Sequence, residues 1–310
     1  MPRVGVIGAT GLVGGVVLDL LAERGYDDVR PFASARSAGT TLPDGRVVEE
    51  ATPESLSAGD LDLCFFSVGT SASRELVPHA VRGGALCVDK SAAFRLADGV
   101  PLVVPEVNGE RALEHRGIVA NPNCSTIPLT LVLKPLHDAA GLRALRVATY
   151  QSKSGAGDET LQEFLAEAPA EHDLAADWPF DGDDYEDEAK LREETRKILE
   201  LPDLPISVTC IRVPVPVGHA EAVWVETEQP LAPEEARELL AAAPSTRLEE
   251  FPTPGKAAGG DEALVGRIRR DPTVENGISL FLACDNLRKG AALNGIQIAE
   301  LVLSRRPVAA

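Results

Sequence analysis

The chain has 310 residues, of which 44% are hydrophobic, and a formal net charge of −18. This length predicts two domains with packed cores, and the acidic balance argues against nucleic acid as a partner. Five cysteines without paired spacing argue against a disulfide scaffold or a metal site and favour the reducing cytoplasm. We expect no signal peptide, because the first residues enter a strand pattern without a basic region and an apolar region before it. We expect no membrane span, because no apolar run approaches ~20 residues.

A glycine-rich turn follows the first predicted strand. The strand is Val4-Gly5-Val6-Ile7, and the turn that leads into an apolar helix pattern spans residues 8–14. Here Gly8 allows a tight turn, Gly11 lets a pyrophosphate approach the backbone, and Gly14 permits close helix packing. An ordinary strand-to-helix turn is the alternative, but the position directly after a strand favours dinucleotide binding.

Further strands follow at the spacing of an α/β domain. They are predicted at 29–34, 61–68, 85–89, 101–104 and 117–120, with a helix at 71–83. Continuous apolar runs such as 61–68 suit a parallel sheet that is covered on both faces. Residues 1–123 are therefore predicted to form a doubly wound, Rossmann-type dinucleotide-binding domain.

The end of the second strand bears on the choice of cofactor. An Asp or Glu there binds a ribose 2′-hydroxyl and repels a 2′-phosphate. The segment 34–39 contains no acid and instead offers Arg36 between two serines. This favours NADP over NAD, with a solvated loop charge as the alternative for Arg36.

The pattern changes after residue 123. Longer strands are predicted at 144–152, 206–215, 221–229, 264–270 and 278–284, and helices near 158–168, 186–200 and 232–243. This alternation predicts a mixed sheet with helices on one face, an α+β domain over residues 124–285. The acidic stretch 171–185 is predicted to be a surface loop, and Lys289 to Arg305 a helix.

Cys124 is the candidate nucleophile. It stands in the run Asn-Pro-Asn-Cys-Ser-Thr at 121–126, just before a helix-like apolar run. A thiol at a helix N-terminus is favoured as the reactive thiolate. The other four cysteines lie in apolar runs, which predicts buried packing residues. A small residue in a turn is the alternative for Cys124.

His219 is the candidate general base. Four of the five histidines lie in helix-like or charged stretches, whereas His219 stands between two strand-like runs, seven residues after Arg212. Paired with a reactive thiol, such a histidine is suited to proton transfer. A thiolate, a base, a nicotinamide and cationic groups are the set that reduction of an acyl phosphate, or its reverse, requires.

Several motifs in order make the chain resemble the aspartate-semialdehyde dehydrogenase family over essentially its whole length. The motifs are GATGLVG at 8–14, SARSAG at 34–39, DKSAAFR at 89–95, VPEVN at 104–108, NPNCST at 121–126, TYQSKSGAG at 149–157, ETRKIL at 194–199, RVPVPVGH at 212–219, VGRIRRD at 265–271 and DNLRKGAALNGIQIAE at 285–300. The resemblance implies reductive dephosphorylation of aspartyl phosphate to aspartate semialdehyde through a cysteine thioester, in the biosynthesis of lysine, threonine and methionine.

The resemblance also implies a role for individual residues. Cys124 matches the nucleophile, His219 the proton acceptor and donor, and Gln151 the residue that orients the acyl group. For the substrate, Arg212 matches the carboxylate-binding arginine, and the phosphate site matches Arg95, Asn123 and Lys190. The implied cofactor contacts are Gly8, Thr10, Gly11, Leu12, Val13, Arg36, Ser37, Ser154, Gly155 and Gln297. Since Gln297 is on the final helix, residues 286–310 are predicted to return to the first domain.

Two departures and two alternatives stay open. The family often has Glu three residues before the phosphate-site lysine, where it meets the substrate amino group. Here that position is Asp187, with Glu188 beside it, and both stay candidates for the contact. The loop 171–185 is more acidic than the family pattern and lacks its Phe-Asn turn. The alternative functions are an N-acetyl-gamma-glutamyl-phosphate reductase and a non-catalytic NADP-binding sensor. The expected partners are a small-molecule substrate and a second copy, as a homodimer or a dimer of dimers.

Overall fold

The computed structural model describes residues 1–305 and divides them into two units. The first contains residues 1–122 and the described residues from 291 on, and the second contains residues 123–290. The predicted first domain comprises 1–123 and 286–310, and the predicted second domain comprises 124–285. The structure instead assigns Asn123 and residues 286–290 to the second unit. Hydrogen bonds of both segments explain this: the Asn123 amide donates to Glu194, and the Gly218 amide donates to Asn286. Residues 306–310 of the predicted first domain lie outside the described residues.

The first unit is a parallel sheet with helices. Its strands are β1 Val4–Ile7, β2 Val29–Ala33, β3 Glu49–Glu50, β4 Leu63–Phe66, β5 Leu86–Asp89 and β6 Ile118–Ala120. Its helices before residue 122 are α1 Leu12–Glu23, α2 Pro53–Ser57, α3 Thr70–Arg82 and α4 Pro105–Asn108. The strand order β3-β2-β1-β4-β5-β6 is the doubly wound order with a switch point between β1 and β4. This confirms the predicted α/β class.

The predicted strand at 101–104 is wrong. Only one bridge pairs Leu102 with Ala120, and α4 begins directly afterwards. Proline stands at both ends of the segment, at 101 and 105, and it has no N–H to donate to a sheet. The segment therefore follows β6 for one pair and then turns into a helix.

The second unit is a mixed sheet with helices. Its helices are α5 Thr126–Ala140, α6 Asp158–Ala166, α7 Glu186–Leu199, α8 Pro233–Ala242 and α9 Pro254–Ala257. Its strands are β7 Leu142–Gln151, β8 Phe180–Asp181, β9 Asp184–Tyr185, β10 Ile206–Arg212, β11 His219–Thr227, β12 Thr246–Leu248, β13 Ala263–Arg270 and β14 Gly277–Cys284. The main sheet has the order β10-β7-β11-β14-β13-β12. The predicted α+β architecture is confirmed, and a short hairpin of β8 and β9 lies within the predicted loop 171–185.

One face of this sheet is better covered than the other. Along β11, Val223 and Val225 are fully buried, whereas Ala222 and Trp224 between them are half-buried. Helix α5 contacts β11, β13 and β14, and α7 contacts β10. The alternation is that of a sheet with helices on one face, as predicted.

The described residues end with α10, Asn294–Arg305, which follows a π-helical segment at Arg288–Leu293. Helix α10 contacts β5 and α4 and so belongs to the first unit, which confirms the predicted return. Among residues 1–305, no helix is long and apolar enough to cross a membrane.

Candidate active site

The second unit brings Cys124 and His219 together. Cys124 lies two residues before α5, and His219 is the first residue of β11. Cys124 Sγ is 3.2 Å from Nε2 of His219, which is a hydrogen-bonding distance for sulfur. The two residues are 95 positions apart in sequence, so the fold alone creates the pair.

Asn123 fixes the turn that carries the thiol. Its backbone amide donates to Glu194 Oε2 at 2.7 Å, and its side-chain Oδ1 accepts from the Ser125 amide at 2.9 Å. The same Oδ1 lies 3.7 Å from Cys124 Sγ. The asparagine thus satisfies a donor at the beginning of α5 and provides an acceptor for the thiol proton.

The His219 ring is buried and neutral. Burial, and then the positive charge of Arg212, lower the pKa of His219 to about 3. Its Nδ1 lies 3.0 Å from the Ser152 backbone nitrogen, which donates to it. The ring is therefore held from Nδ1 and directs Nε2 to the sulfur.

Arg212 is a buried arginine at the end of β10. Its Nη1 donates to the Ser152 carbonyl at 2.9 Å, and its Nε donates to Asp177 Oδ2 at 2.7 Å. The guanidinium also lies 4.5 Å from the ring centroid of Trp178. Asp177 and Trp178 belong to the acidic stretch 171–185, so that stretch supplies a carboxylate to the arginine expected to bind one.

Gly155 and Gln151 lie beside these groups. A Cβ placed on Gly155 would be 2.8 Å from Cε1 of His219 and 3.2 Å from Nη1 of Arg212. Only glycine lets this backbone approach both side chains. Gln151 is buried at the end of β7, in register with Arg212, and its Nε2 donates to Thr149.

Asp187 and Glu188 have different surroundings at the start of α7. Both oxygens of Glu188 accept from backbone amides, those of Tyr185 and Cys210. Asp187 instead pairs with Lys190 at 3.3 Å. Burial alone would lower the pKa of Lys190, but the carboxylates of Asp187 and Glu186 outweigh it and raise that pKa, so the lysine is cationic.

The other four cysteines are buried, as predicted, whereas Cys124 is half-buried. Burial raises the pKa of Cys210 to about 12 and also raises the pKa of Cys284. Their thiols are therefore protonated and shielded, and Cys124, which is only half-buried, remains the candidate nucleophile.

The glycine turn of the first unit has the properties expected of an anion-binding turn. Gly8 has φ +90°, and a Cβ on Gly14 would be 2.0 Å from the Gly8 carbonyl oxygen. A Cβ on Gly11 would meet only that same oxygen, at 3.5 Å, so the space above it is open. Helix α1 begins at Leu12 and has no acid in its first turn, which suits a pyrophosphate.

The remaining candidates of the first unit have separate surroundings. Arg36 and Thr10 are exposed, Ser37 and Leu12 are half-buried, and Val13 is buried in α1. Gln297 of α10 donates to Glu106 at 3.2 Å. The buried Arg95 donates to the Asn121 carbonyl at 3.0 Å and to the Lys90 carbonyl. Ser154 is in the second unit, where its hydroxyl bonds to Asn286.

Comparisons with known proteins show which family the chain belongs to. Residues 3–115 match the family model described as semialdehyde dehydrogenase, NAD binding domain, and residues 180–289 match the one described as semialdehyde dehydrogenase, dimerisation domain. The aspartate-semialdehyde dehydrogenase of Streptomyces akiyoshiensis is 45% identical, over 97% of this chain and 98% of its own. The chain belongs to the aspartate-semialdehyde dehydrogenase family. The protein from Aquifex aeolicus is 40% identical, over 97% of this chain and 98% of its own.

Solved structures place the fold in the same family. A crystal structure of aspartate semialdehyde dehydrogenase II from Vibrio cholerae, complexed with ASA, has a TM-score of 0.92 at 37% identity and covers 99% of both chains. The enzyme of Candida albicans, solved with NADP, has a TM-score of 0.78 at 26% identity and covers 98% of both chains. The predicted family, the enzyme class and a nicotinamide-binding first domain are thereby confirmed.

Three residues that contact the candidate site were not predicted from the sequence. Ser152 and Asn286 contact each other and hold the loop before β11, and Asp177 contacts Arg212. Serine and asparagine occur in ordinary turns, and Asp177 is one acid among many in its stretch. Their roles come from pairings between distant segments, for which the sequence holds no local signal.

Proposed function

We propose that this chain reduces L-4-aspartyl phosphate to L-aspartate 4-semialdehyde with NADPH, and catalyses the reverse reaction with phosphate. The observation that supports it most is the distance of 3.2 Å between Cys124 Sγ and His219 Nε2, beside a buried Arg212. A thiolate forms the thioester with the acyl phosphate, and phosphate leaves. Reduction of the thioester and release of the thiol then give the aldehyde.

The chain's own residues divide this work. Cys124 attacks the acyl carbon, and Nε2 of His219 faces the sulfur and the oxygen that develops charge beside it. Arg212 binds the α-carboxylate and Gln151 orients the acyl group. Asp187 rather than Glu188 is proposed for the amino group, since both oxygens of Glu188 accept from the backbone. Lys190 and Asn123 are proposed for the phosphate, as is Arg95 of the first unit.

The nicotinamide dinucleotide supplies or accepts the hydride. We assign its pyrophosphate to the turn of Gly8 and Gly11 and to the start of α1, at Leu12 and Val13. Thr10, Ser154, Gly155 and Gln297 complete the proposed contacts. Arg36 and Ser37, which follow β2 without an acid between them, are proposed to bind the 2′-phosphate of NADP.

The experiment that tests the function is an assay of phosphate-dependent NADP reduction. We expect turnover with aspartate semialdehyde and much less with N-acetyl-glutamate semialdehyde. The opposite preference would indicate the acetylglutamyl-phosphate reductase, and binding of NADP without turnover of either aldehyde would indicate the sensor.

Arg36→Asp is expected to shift preference from NADP to NAD. A carboxylate repels the 2′-phosphate and accepts a hydrogen bond from a 2′-hydroxyl. The ratio of kcat/KM values for the two cofactors measures the effect. Arg46→Asp is a control for the same substitution at another arginine of the first unit, because Arg46 pairs with Asp44. An unchanged ratio in Arg36→Asp would show that Arg36 is only a surface charge.

Arg212→Lys is expected to lower kcat/KM although the charge is kept. Lysine cannot form the forked pair with a carboxylate, and we expect a loss of roughly 2–4 kcal/mol in transition-state stabilisation. Asp177→Asn is the matched control, since it removes the carboxylate charge that pairs with Nε and keeps the guanidinium. Near wild-type kcat/KM in Arg212→Lys would place the substrate carboxylate elsewhere.

We also propose that the chain is a homodimer in the cytoplasm. The matched dimerisation domain supports a dimer, as does the stack of the half-exposed Phe251 on Phe281, which also contacts Tyr150. Light scattering of the purified protein distinguishes one, two and four copies. The five free cysteines are suited to a reducing compartment.

A further inference from the structure

The hydrogen bonds around Asn286 determine which way its amide faces. Asn286 is buried, and the Gly218 backbone amide donates to its Oδ1 at 2.8 Å. A peptide N–H requires an acceptor, so the oxygen must face Gly218 and the NH₂ group must face away. That NH₂ group donates to Ser154 Oγ at 3.0 Å.

With the amide fixed, its oxygen is an acceptor for the hydroxyl of Ser152. Ser152 Oγ lies 3.1 Å from Asn286 Oδ1, which can only accept. Ser152 therefore donates to Asn286, and Ser154 can donate to Ser152 Oγ at 3.1 Å. The three side chains close a ring of hydrogen bonds in which each hydroxyl proton has an acceptor.

The contact of the Ser152 backbone amide with Nδ1 determines the tautomer of His219. The hydroxyl of Ser152 is also 3.1 Å from Nδ1 of His219, but a hydroxyl can donate or accept, so it does not determine the tautomer. The Ser152 backbone amide, 3.0 Å from Nδ1, can only donate. A neutral imidazole that accepts at Nδ1 carries its proton on Nε2. That proton then points to Cys124 Sγ, 3.2 Å away.

We propose that Asn286 and Ser152 are positioning residues for His219: Asn286 holds the Ser152 side chain, and the Ser152 backbone amide, which donates to Nδ1, keeps the ring proton on Nε2. The imidazole then faces Cys124 as a hydrogen-bond donor. This positioning role rests on the proposed role of Cys124 as nucleophile. A donor at this point stabilises a thiolate and then the oxyanion that forms beside it. The sequence alone predicts a base at His219, which would need a bare Nε2, and the contacts at Nδ1 favour the other tautomer in the resting state.

The first test is spectroscopic and does not depend on turnover. The protein is labelled with ¹⁵N-histidine, and the His219 signals are identified by their loss in His219→Asn. We expect a neutral ring with the proton on Nε2. A proton on Nδ1 would overturn the proposal, even if the dehydrogenase assay succeeds, whereas a failed assay with the expected tautomer would refute only the proposed function.

The second test separates a donor from a base by kinetics. The amide NH₂ of glutamine reaches closer to the position of Nε2 than that of asparagine does. We expect kcat of His219→Gln to exceed that of His219→Asn about tenfold, within the ~10²–10³-fold effect of an oxyanion donor. Equal kcat values for the two variants would overturn the donor role.

The third test concerns Asn286 itself. Asn286→Ala is expected to lower kcat roughly 10- to 100-fold, the scale for residues that orient a functional group, with KM and NADP affinity nearly unchanged. In the His219→Asn background, Asn286→Ala should lower kcat almost no further. An equal loss in both backgrounds would overturn the positioning role. If Asn286→Ala does not fold, Ser152→Ala makes the same test. It removes the hydroxyl that donates to Asn286 and keeps the backbone amide that donates to Nδ1 of His219.

Asn108→Ala is the matched control for the loss of an asparagine. Asn108 makes two hydrogen bonds to backbone groups, with the Val104 amide and the Leu102 carbonyl, and it lies in the first unit. We expect reduced thermal stability with normal kcat in the folded protein. A fall in kcat equal to that of Asn286→Ala would show that both effects are only structural, and would overturn the proposal.

Discussion

Cys124→Ser is expected to retain NADP binding and to lose nearly all turnover. An alcohol has no readily formed anion at neutral pH, so the thioester cannot form at a useful rate. The sulfur is half-buried and in contact with His219, and the other four cysteines are buried. No other thiol among them is placed to replace it.

The measurements are kcat with aspartate semialdehyde and the dissociation constant of NADP. Cys64→Ser is the matched control, because it makes the same atomic change at a fully buried site in the first unit. It should lower stability without lowering kcat of the folded protein. Residual activity in Cys124→Ser above about a tenth of wild type would refute the assignment of the nucleophile.

Much of the fold follows from local signals in the sequence. The apolar runs of β4 and β5 are buried along their whole length, which is the pattern of a parallel sheet covered on both faces. Two short strands at the sheet edges, β3 and β12, are not predicted, because they have no local signal. Strand β3 has two residues and β12 has three, too few for any periodicity to appear.

The site could be predicted only where a residue has its own local signal. Cys124 precedes a helix and Arg36 follows a strand without an acid, and both features are readable from neighbours in the chain. Glu221 shows the limit. It is fully buried two residues after His219, and neither of its oxygens has a hydrogen-bond partner within residues 1–305. Burial raises its pKa well above the usual range and so favours the neutral acid, and no sequence pattern separates it from a surface glutamate.

His219→Asn is expected to lower kcat roughly 10²–10⁴-fold, the range for a residue that moves or shares a proton at the reacting atoms. Burial and then the charge of Arg212 lower the pKa of the ring to about 3, so it is neutral near pH 7. Its effect on Cys124 is therefore that of a hydrogen-bonding group at 3.2 Å, not of a permanent positive charge. Loss of that group leaves the sulfur without its partner on β11.

The NADP dissociation constant should remain almost unchanged in His219→Asn, because the proposed contacts of the dinucleotide are other residues. A histidine that only packs at the start of β11 makes a different prediction. Replacing such a residue would lower the thermal stability and leave kcat of the folded protein normal, since burial and not chemistry would be lost. Measuring the melting temperature and kcat on the same variant decides between the two roles: a stable protein with little turnover assigns His219 to the reaction, and an unstable protein with normal turnover assigns it to packing.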